Sequence, residues 1–323
     1  MAIPASRRVD FSEIPQLDIG PLLHGRDDTD LIASLHDACT TSGFFYVRNH
    51  GIDPVLISNM QQAAARFFNQ PAQAKLKYSL NARMQGYLPL DYSSQTDEID
   101  EAKSHQEGFW IGYQRPEQPG HLFDGPNIWP VGHDDLRETM TAYQQAVEPL
   151  SAALLRGFAL AAGLSPDRLA DWFRAPITRL KLNHYPPQDT PTSVRHIGVV
   201  PHSDSDAFTI LWQDDGDGLE IRNLAGEWIR APSIPNTFVI NIGNIMQMWT
   251  GGLFASTPHR VINAGGRDRY SIPVFVYPDH DVRIGALDAE GEPPVDAITC
   301  AEYLRTSWRR SFPIANIPAA EDG

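Results

Sequence analysis

Pro201-His202-Ser203-Asp204 and Thr257-Pro258-His259-Arg260-Val261 decide the fold of this chain, together with Arg267-Asp268-Arg269-Tyr270-Ser271-Ile272-Pro273. They lie in a region of short apolar runs that are separated by turn residues such as Gly265-Gly266. Short strands at regular spacing, with turns between them, are typical of a β-sandwich or a barrel. The strands predicted in this region span residues 179–185, 194–199, 207–213, 218–222, 227–231, 237–242, 258–263 and 269–277.

Two histidines and one carboxylate in this region have the pattern of a metal site. His202 and Asp204 are two residues apart, so in an extended segment both side chains point to the same side. His259 begins another predicted strand, and opposite strands of a barrel can bring it to the same ion. This ligand set is that of a non-haem Fe(II) site with open positions. The same residue types also bind catalytic zinc, so the ligands alone leave zinc open.

Arg269 and Ser271 are predicted to face the same side of the last strand. Arginine binds a carboxylate through paired hydrogen bonds, and a serine hydroxyl adds one more donor. Arg269 precedes an apolar run that ends at Val276, so its side chain is expected to point inward. A buried guanidinium needs an anion, and a bound acid is the natural candidate.

The rest of the chain is predicted to surround this region with helices. Helices are expected at residues 29–42, 53–69 and 298–308, while residues 1–13 are expected to form a loose arm. The longest predicted helix, 134–162, carries apolar residues at every third or fourth position, which indicates one face packed on a sheet.

Four regions are predicted, which together form one compact unit. They are an N-terminal α/β region (1–133), bracing helices (134–177), the β core (178–287) and a C-terminal tail (288–323). The segment 80–132 is rich in turn residues and is predicted to be irregular. Because long irregular segments are usually functional, its aromatic residues and histidine are candidates to roof a pocket: Tyr87, Tyr92, His105, Phe109 and Trp110.

Composition excludes several classes of protein. The 323 residues include 26 Lys and Arg against 40 Asp and Glu, a formal net charge of −14. Such an acidic chain is not expected to bind nucleic acid or an anionic membrane. No run approaches the about 18 apolar residues of a transmembrane helix. With two cysteines and no apolar N-terminal segment, the expected location is the cytoplasm. The sequence does not give the oligomeric state.

These features resemble the isopenicillin N synthase-like family of Fe(II)- and 2-oxoglutarate-dependent dioxygenases. The resemblance runs nearly the whole length of the chain, and order, spacing and local context all agree. The matching segments are Ile14-Pro15 to Asp18, Gly43-Phe44-Phe45 to Asn49-His50-Gly51, Asn127 to Trp129-Pro130, Asn183-His184-Tyr185-Pro186-Pro187, the triad of His202, Asp204 and His259, and Arg269-Tyr270-Ser271.

The resemblance implies a fold, an activity and an iron site. The fold is α+β, with a distorted double-stranded β-helix (jelly roll) core and surrounding helices. The activity is oxidation of a small molecule with O2, by hydroxylation, desaturation or cyclisation, while 2-oxoglutarate is converted to succinate and CO2. His202, Asp204 and His259 are implied to hold the Fe(II).

Four further residues are implied to bind the cosubstrate. Arg269 and Ser271 match the pair that binds the distal carboxylate of 2-oxoglutarate. Asn183 and Tyr185 match positions that line the same site. The chain departs from the family pattern at Lys181, where many relatives carry arginine.

Phe275 and Tyr277 are predicted to line the substrate cavity, because strand alternation puts them on the same side as Arg269 and Ser271. Three alternatives stay open. One is an Fe(II) oxidase of the isopenicillin N synthase type, in which the Arg-x-Ser pair holds a substrate carboxylate instead of 2-oxoglutarate. The others are a non-catalytic jelly-roll binding protein and a zinc hydrolase.

Overall fold

A computed structural model describes residues 3–7, 14–94, 102–188, 193, 196–263 and 265–318. The strands are β1 (Ser6–Arg7), β2 (Gln16–Asp18), β3 (Phe44–Arg48), β4 (Gly86–Leu88), β5 (Ser93–Ser94), β6 (Ala102–Ser104), β7 (Glu107–Ile111), β8 (Arg179–Tyr185), β9 (His196–Ile197), β10 (Val199–His202), β11 (Phe208–Gln213), β12 (Leu219–Arg222), β13 (Trp228–Arg230), β14 (Phe238–Ile242), β15 (His259–Val261) and β16 (Arg269–Val276). The α-helices are α1 (Gly20–Leu23), α2 (Thr29–Thr41), α3 (Pro54–Phe68), α4 (Ala72–Lys75), α5 (Asp134–Ala161), α6 (Asn244–Trp249) and α7 (Cys300–Ser311).

Two large sheets build the core. The larger sheet has eight strands in the order β2-β3-β14-β11-β16-β8-β7-β4, and the smaller has five in the order β1-β13-β12-β15-β10. A third sheet joins β5, β6 and β9. Apolar residues of α2, α3 and α5 pack with those of the larger sheet in one hydrophobic cluster. The predicted α+β jelly roll with surrounding helices is confirmed.

The longest helix, α5, shows how an apolar stripe sets the packing. Asp134 and Asp135 lie in its first turn, where carboxylates interact favourably with the helix N-terminus. The helix ends at Ala161, just before Gly163, whose φ of +77° is a conformation that glycine adopts without strain. The buried stripe includes Leu136, Met140, Tyr143, Val147, Leu150, Leu154 and Phe158. The helix predicted at 134–162 is therefore confirmed.

The segment 80–132 is more regular than predicted, so that prediction is wrong in part. β4 and β7 join the larger sheet, and every residue of β7 is buried. Its polar start, Glu107-Gly108, breaks the apolar pattern by which a buried strand is recognised. Glycine at 108 leaves room for Lys181, because a Cβ there would lie 2.5 Å from Cε of Lys181 and 3.2 Å from the carbonyl oxygen of Leu182.

The predicted N-terminal arm is not loose over the residues that the structure describes. β1 pairs in parallel with β13, and the guanidinium of Arg260 donates to the carbonyl oxygen of Pro4 at 2.7 Å. Arg260 is completely buried and also pairs with Glu220 at 2.7 Å. The arm therefore covers an internal ion pair, and residues 8–13 lie outside the described part.

All four predicted regions contribute buried side chains to the principal hydrophobic cluster. The division at residues 133, 177 and 287 itself stays a prediction. Among the described residues, no helix is both long enough and apolar enough to cross a membrane.

A buried polar network links β7 to β8 and to the N-terminal helices. Nζ of Lys75 donates to Oε2 of Glu107 at 2.5 Å, and the hydroxyl of Tyr87 contacts the same oxygen. Nδ1 of His184 lies 2.8 Å from the other oxygen of Glu107. Burial would raise the pKa of Glu107, but hydrogen bonds from His184, Lys75 and Tyr87 outweigh it and lower that pKa. Glu107 is therefore ionised at neutral pH, at the centre of this network.

Replacing Glu107 by glutamine is expected to lower the free energy of unfolding by about 3–5 kcal/mol, because the change leaves the Lys75 ammonium buried without its anion. Since the folded-state pKa of Glu107 is lowered, its stabilising effect is present at neutral pH and is lost as the pH falls through that pKa. Urea unfolding near pH 7 and near pH 3 measures both effects. Glu138→Gln, at an exposed site on α5, is the control and is expected to stay within about 0.5 kcal/mol of wild type. An equally small effect of Glu107→Gln would contradict this account.

Candidate metal and cosubstrate site

The three predicted metal ligands meet at the ends of β10 and β15. His202 and His259 are register partners, and Asp204 follows β10 by two residues. Nε2 of His202 lies 3.5 Å from Oδ1 of Asp204, and Nε2 of His259 lies 3.8 Å from Oδ2. One possible ligand atom from each residue lies within 4.8 Å of the others. An ion at roughly 2.0–2.2 Å from each nitrogen and oxygen fits between atoms at this spacing.

A second cluster of the same residue types shows the contrast. Asp91 lies 2.8 Å from Nδ1 of His105 and 2.9 Å from Nε2 of His196, and both contacts use the same carboxylate oxygen. At those distances the ring nitrogens are already engaged in hydrogen bonds with the carboxylate. The longer separations around Asp204 leave room for an ion instead.

Both histidine rings are held in the tautomer that metal binding requires. Nδ1 of His202 lies 2.9 Å from the carbonyl oxygen of Val200, and Nδ1 of His259 lies 3.2 Å from that of Thr257. Because a carbonyl oxygen only accepts, each Nδ1 carries a hydrogen, which leaves each Nε2 as the ring atom that can bind a metal. Burial, reinforced by the nearby His202, lowers the pKa of His259 to about 4, so its ring is neutral at pH 7.

Asp204 is oriented by two donors behind it. Its Oδ2 accepts hydrogen bonds from the hydroxyl of Thr209 at 2.6 Å and from Nδ2 of Asn241 at 2.9 Å. Burial would raise the pKa of Asp204, but the two neighbouring histidines and Thr209 outweigh it and hold that pKa below its usual range. Asp204 is therefore an ionised carboxylate with one oxygen fixed by the protein.

Asp206 is a second carboxyl group behind the first. It is completely buried, and its Oδ2 lies 2.8 Å from the hydroxyl of Thr209. Burial, and then the charge of Asp204, raise the pKa of Asp206 well above its usual value. The single hydroxyl group of Thr209 lies within hydrogen-bond distance of both carboxyl groups, 2.6 Å from Oδ2 of Asp204 and 2.8 Å from Oδ2 of Asp206. These contacts fix the direction of the Asp204 carboxylate.

The four predicted cosubstrate residues form a second polar cluster, on the adjacent strands β8 and β16. Arg269 lies opposite Tyr185 in the register, and Ser271 lies opposite Asn183. The Ser271 hydroxyl accepts from Nδ2 of Asn183 at 3.2 Å and lies 3.3 Å from the hydroxyl of Tyr185. The guanidinium of Arg269 lies over the Tyr185 ring, 4.7 Å from its centroid. The structure thus brings all four residues together, and all four are buried.

Arg269 has hydrogen-bonding capacity to spare, which fits a carboxylate ligand. Its Nε donates to the carbonyl oxygen of Gly216 at 3.3 Å, and one terminal nitrogen donates to Oε1 of Gln213 at 3.0 Å. Both acceptors are neutral. The other terminal nitrogen, Nη1, is buried and has no hydrogen-bond partner among the described residues. A guanidinium in this state matches the carboxylate end of 2-oxoglutarate, which accepts two parallel hydrogen bonds.

A cavity of about 420 Å³ lies beside the metal cluster. His202 and Asp204 line it, as do Phe275 and Tyr277, the two residues predicted to contact substrate. Sites for small molecules typically occupy about 300–1,000 Å³. The cavity therefore has the size of a small-molecule site, with two of the three candidate metal ligands in its wall.

Helix α7 forms one side of this cavity. The sequence alone did not predict this position for the helix. The residues of α7 that line the cavity are Tyr303, Thr306, Ser307, Trp308, Arg310 and Ser311, and Phe312 follows directly after the helix. Of the aromatic residues and histidine predicted as a roof, Tyr92 and Trp110 line the cavity. Tyr87 and Phe109 pack in the core instead, and His105 pairs with Asp91.

Sequence reasoning missed several residues of the site. Thr209 and Asn241 are partners across β11 and β14, and finding that pair requires the order of strands in the sheet. Gln213 reaches Arg269 from another strand for the same reason. Lys181 was noted only as a departure from the family pattern. Strand alternation puts it on the same face as Asn183, so its place in the cavity wall could have been predicted.

Comparisons with known proteins agree with this geometry. Residues 14–132 match the family described as the N-terminal region of non-haem dioxygenases in morphine synthesis. Residues 176–278 match the 2OG-Fe(II) oxygenase superfamily. A homoarginine-6-hydroxylase of Glycine max is 34% identical over 86% of this chain and 89% of its own length.

Solved structures give the same answer. A full-length Neurospora crassa protein in complex with alpha-KG (2-oxoglutarate) is 27% identical and superposes with a TM-score of 0.77, covering 93% of this chain and 98% of that one. JOX2, solved with 2OG, Fe and JA, is 28% identical with a TM-score of 0.76, covering 96% of this chain and 88% of that one. The chain therefore belongs to the 2OG-Fe(II) oxygenase superfamily and is a non-haem Fe(II)- and 2-oxoglutarate-dependent dioxygenase.

Proposed function

We propose that His202, Asp204 and His259 bind the Fe(II) of this dioxygenase. The observation that carries the proposal is the spacing of their ligand atoms, within 4.8 Å of one another, combined with their fixed orientation. Each Nδ1 is tied to a carbonyl oxygen, and Oδ2 of Asp204 is tied to two donors. The three side chains need little rearrangement to bind an ion, and they leave half of its coordination sphere to other ligands.

The cosubstrate proposal concerns the neighbouring cluster on β8 and β16. Arg269 and Ser271 bind the distal carboxylate of 2-oxoglutarate, while Asn183 and Tyr185 position the Ser271 hydroxyl. When bound, iron and 2-oxoglutarate together supply an O2-dependent oxidation that releases succinate and CO2. The protein's part is to orient both groups, to exclude water and to hold the substrate in the adjacent cavity.

The substrate proposal is a small molecule that contacts Phe275 and Tyr277. The cavity volume of about 420 Å³ supports it. The Neurospora crassa relative is solved with thymine and with 5-formyluracil, and JOX2 with JA, so related chains accept ligands of this size. Ser205 lies 3.1 Å from the hydroxyl of Tyr277, which fixes that ring against the cavity.

A spectroscopic titration tests the iron and cosubstrate assignments without a known substrate. Fe(II) and then 2-oxoglutarate are added to the protein under anaerobic conditions, and the visible spectrum is recorded. We expect the weak charge-transfer band of a keto acid chelated to iron, and no band when Zn(II) replaces Fe(II). Bound iron without a band would instead support the oxidase alternative, in which the substrate occupies the position of 2-oxoglutarate.

A further inference from the structure

Lys181 is a buried ionisable side chain in the wall of the substrate cavity. Its side chain is 4% exposed and lines the cavity together with His202 and Asp204. Within the part of the chain that the structure describes, the ammonium has no hydrogen bond and no ion pair. The ring of Trp110 lies beside it, with its centroid 5.1 Å from Nζ.

Such a group is costly to keep in the fold. Burial lowers the pKa of Lys181 to about 7, although the charge of Asp204 acts in the opposite direction. A contact with one aromatic face does not replace the hydration of an ammonium ion. A methionine of similar length fills the same space without that penalty, so the charge itself calls for an explanation.

The position of Lys181 separates it from the cosubstrate cluster. Lys181 and Asn183 lie on the same face of β8. They are two residues apart, which is about 7 Å along a strand, and Lys181 is the one further from Tyr185. Gly108, on β7, leaves the space that the lysine side chain occupies. Arg269 and Ser271 pair with the Tyr185 end of β8, next to the proposed cosubstrate site. Lys181 lies further toward the start of β8 and lines the cavity.

The rest of the cavity favours an anion with an apolar body. Asp204 is the one carboxylate among the described residues that line it, and the metal cluster uses that carboxylate. Arg310 of α7 also lines the cavity. Trp110 and Phe275 stack with their planes 18° apart and form an apolar wall beside Lys181. In a chain of net charge −14, a buried lysine in this wall is a specific feature.

We propose that the substrate of this dioxygenase is a small organic carboxylate, whose carboxylate pairs with Lys181 while its apolar body lies against Trp110 and Phe275. This inference rests on the proposed function, because it assumes that the cavity beside the metal cluster is the substrate site. Lys181 is then a specificity-determining residue that chooses acids over their neutral analogues.

The test compares carboxylates with amides of the same shape. The pairs are phenylacetate and phenylacetamide, cinnamate and cinnamamide, phenylbutanoate and phenylbutanamide, and hexanoate and hexanamide. Binding to the full chain is measured by calorimetry with Mn(II) as the metal and 2-oxoglutarate at saturation, which keeps Arg269 occupied. We expect at least one acid to bind about tenfold or more tightly than its amide.

Variants assign the preference to one residue. In Lys181→Met the ratio of acid to amide affinity is expected to fall to about one, whereas Lys181→Arg retains the preference. Lys77→Met removes the same charge from an exposed position, so it is expected to leave the ratio unchanged. Lys181→Gln, which also lacks the charge, replaces Lys181→Met if that variant does not fold. The comparison of acids with amides in the wild-type protein does not depend on any variant.

Two results would overturn the inference: no acid in the panel binds better than its amide, or the preference survives in Lys181→Met. The anaerobic Fe(II) and 2-oxoglutarate band, recorded on the same proteins, separates this failure from that of the proposed function. A band that persists without any acid preference contradicts the carboxylate substrate alone. A missing band in wild type contradicts the cosubstrate assignment.

Discussion

Replacing His259 by alanine is expected to abolish Fe(II)-dependent formation of succinate from 2-oxoglutarate. The change removes one of three side chains whose ligand atoms lie within 4.8 Å of one another. Two ligands remain, and the neutral imidazole prepared by the Nδ1 contact with Thr257 is gone. The ring also packs edge-on against Phe44, with centroids 5.3 Å apart, so some loss of stability accompanies the loss of metal.

The measurement combines iron content after gel filtration, succinate production and the melting temperature. His24→Ala removes an exposed histidine, so it is the matched control and is expected to retain iron and turnover. Full iron occupancy together with wild-type turnover in His259→Ala would rule out the triad. A folded variant that has lost both iron and turnover supports it.

The triad could be predicted because its geometry is mostly local. His202 and Asp204 share a face at the end of a strand through simple alternation, and a third ligand of the correct type begins another predicted strand. The core strands were predictable for the same reason, since turn residues bound short apolar runs from residue 179 onward. β8, for example, has the predicted bounds.

The remaining parts of the site depend on which strands become neighbours. Gln213 reaches Arg269 because β11 pairs with β16. The sequence alone does not give this order of strands in the sheet. β7 was missed because it begins with Glu107, a residue that suits the strand only when Lys75 supplies a buried partner from a helix. The role of Lys181 depends on the absence of such a partner, which is a property of the whole cavity.

Replacing Arg269 by methionine is expected to weaken 2-oxoglutarate binding by about 2–5 kcal/mol, which is about 30-fold or more in affinity. The guanidinium of Arg269 is buried beside Asn183, Tyr185 and Ser271. Its Nη1 has no hydrogen-bond partner among the described residues, so a bound carboxylate would supply one. Iron binding is expected to survive, because Arg269 contacts none of the three metal ligands in the described structure. The KM for 2-oxoglutarate then rises while iron content stays at the wild-type level.

Two further variants separate charge from geometry in this prediction. Arg269→Lys keeps the positive charge but loses the planar pair of donors, so an intermediate KM for 2-oxoglutarate is expected. Arg267→Met removes an exposed arginine two residues away, which pairs with the exposed Asp215, and it is expected to leave KM unchanged. Melting temperatures are needed alongside, because Arg269 also satisfies Oε1 of Gln213. If a folded Arg269→Met variant kept the wild-type KM for 2-oxoglutarate, the carboxylate of 2-oxoglutarate would not bind Arg269. The cosubstrate would then lie elsewhere.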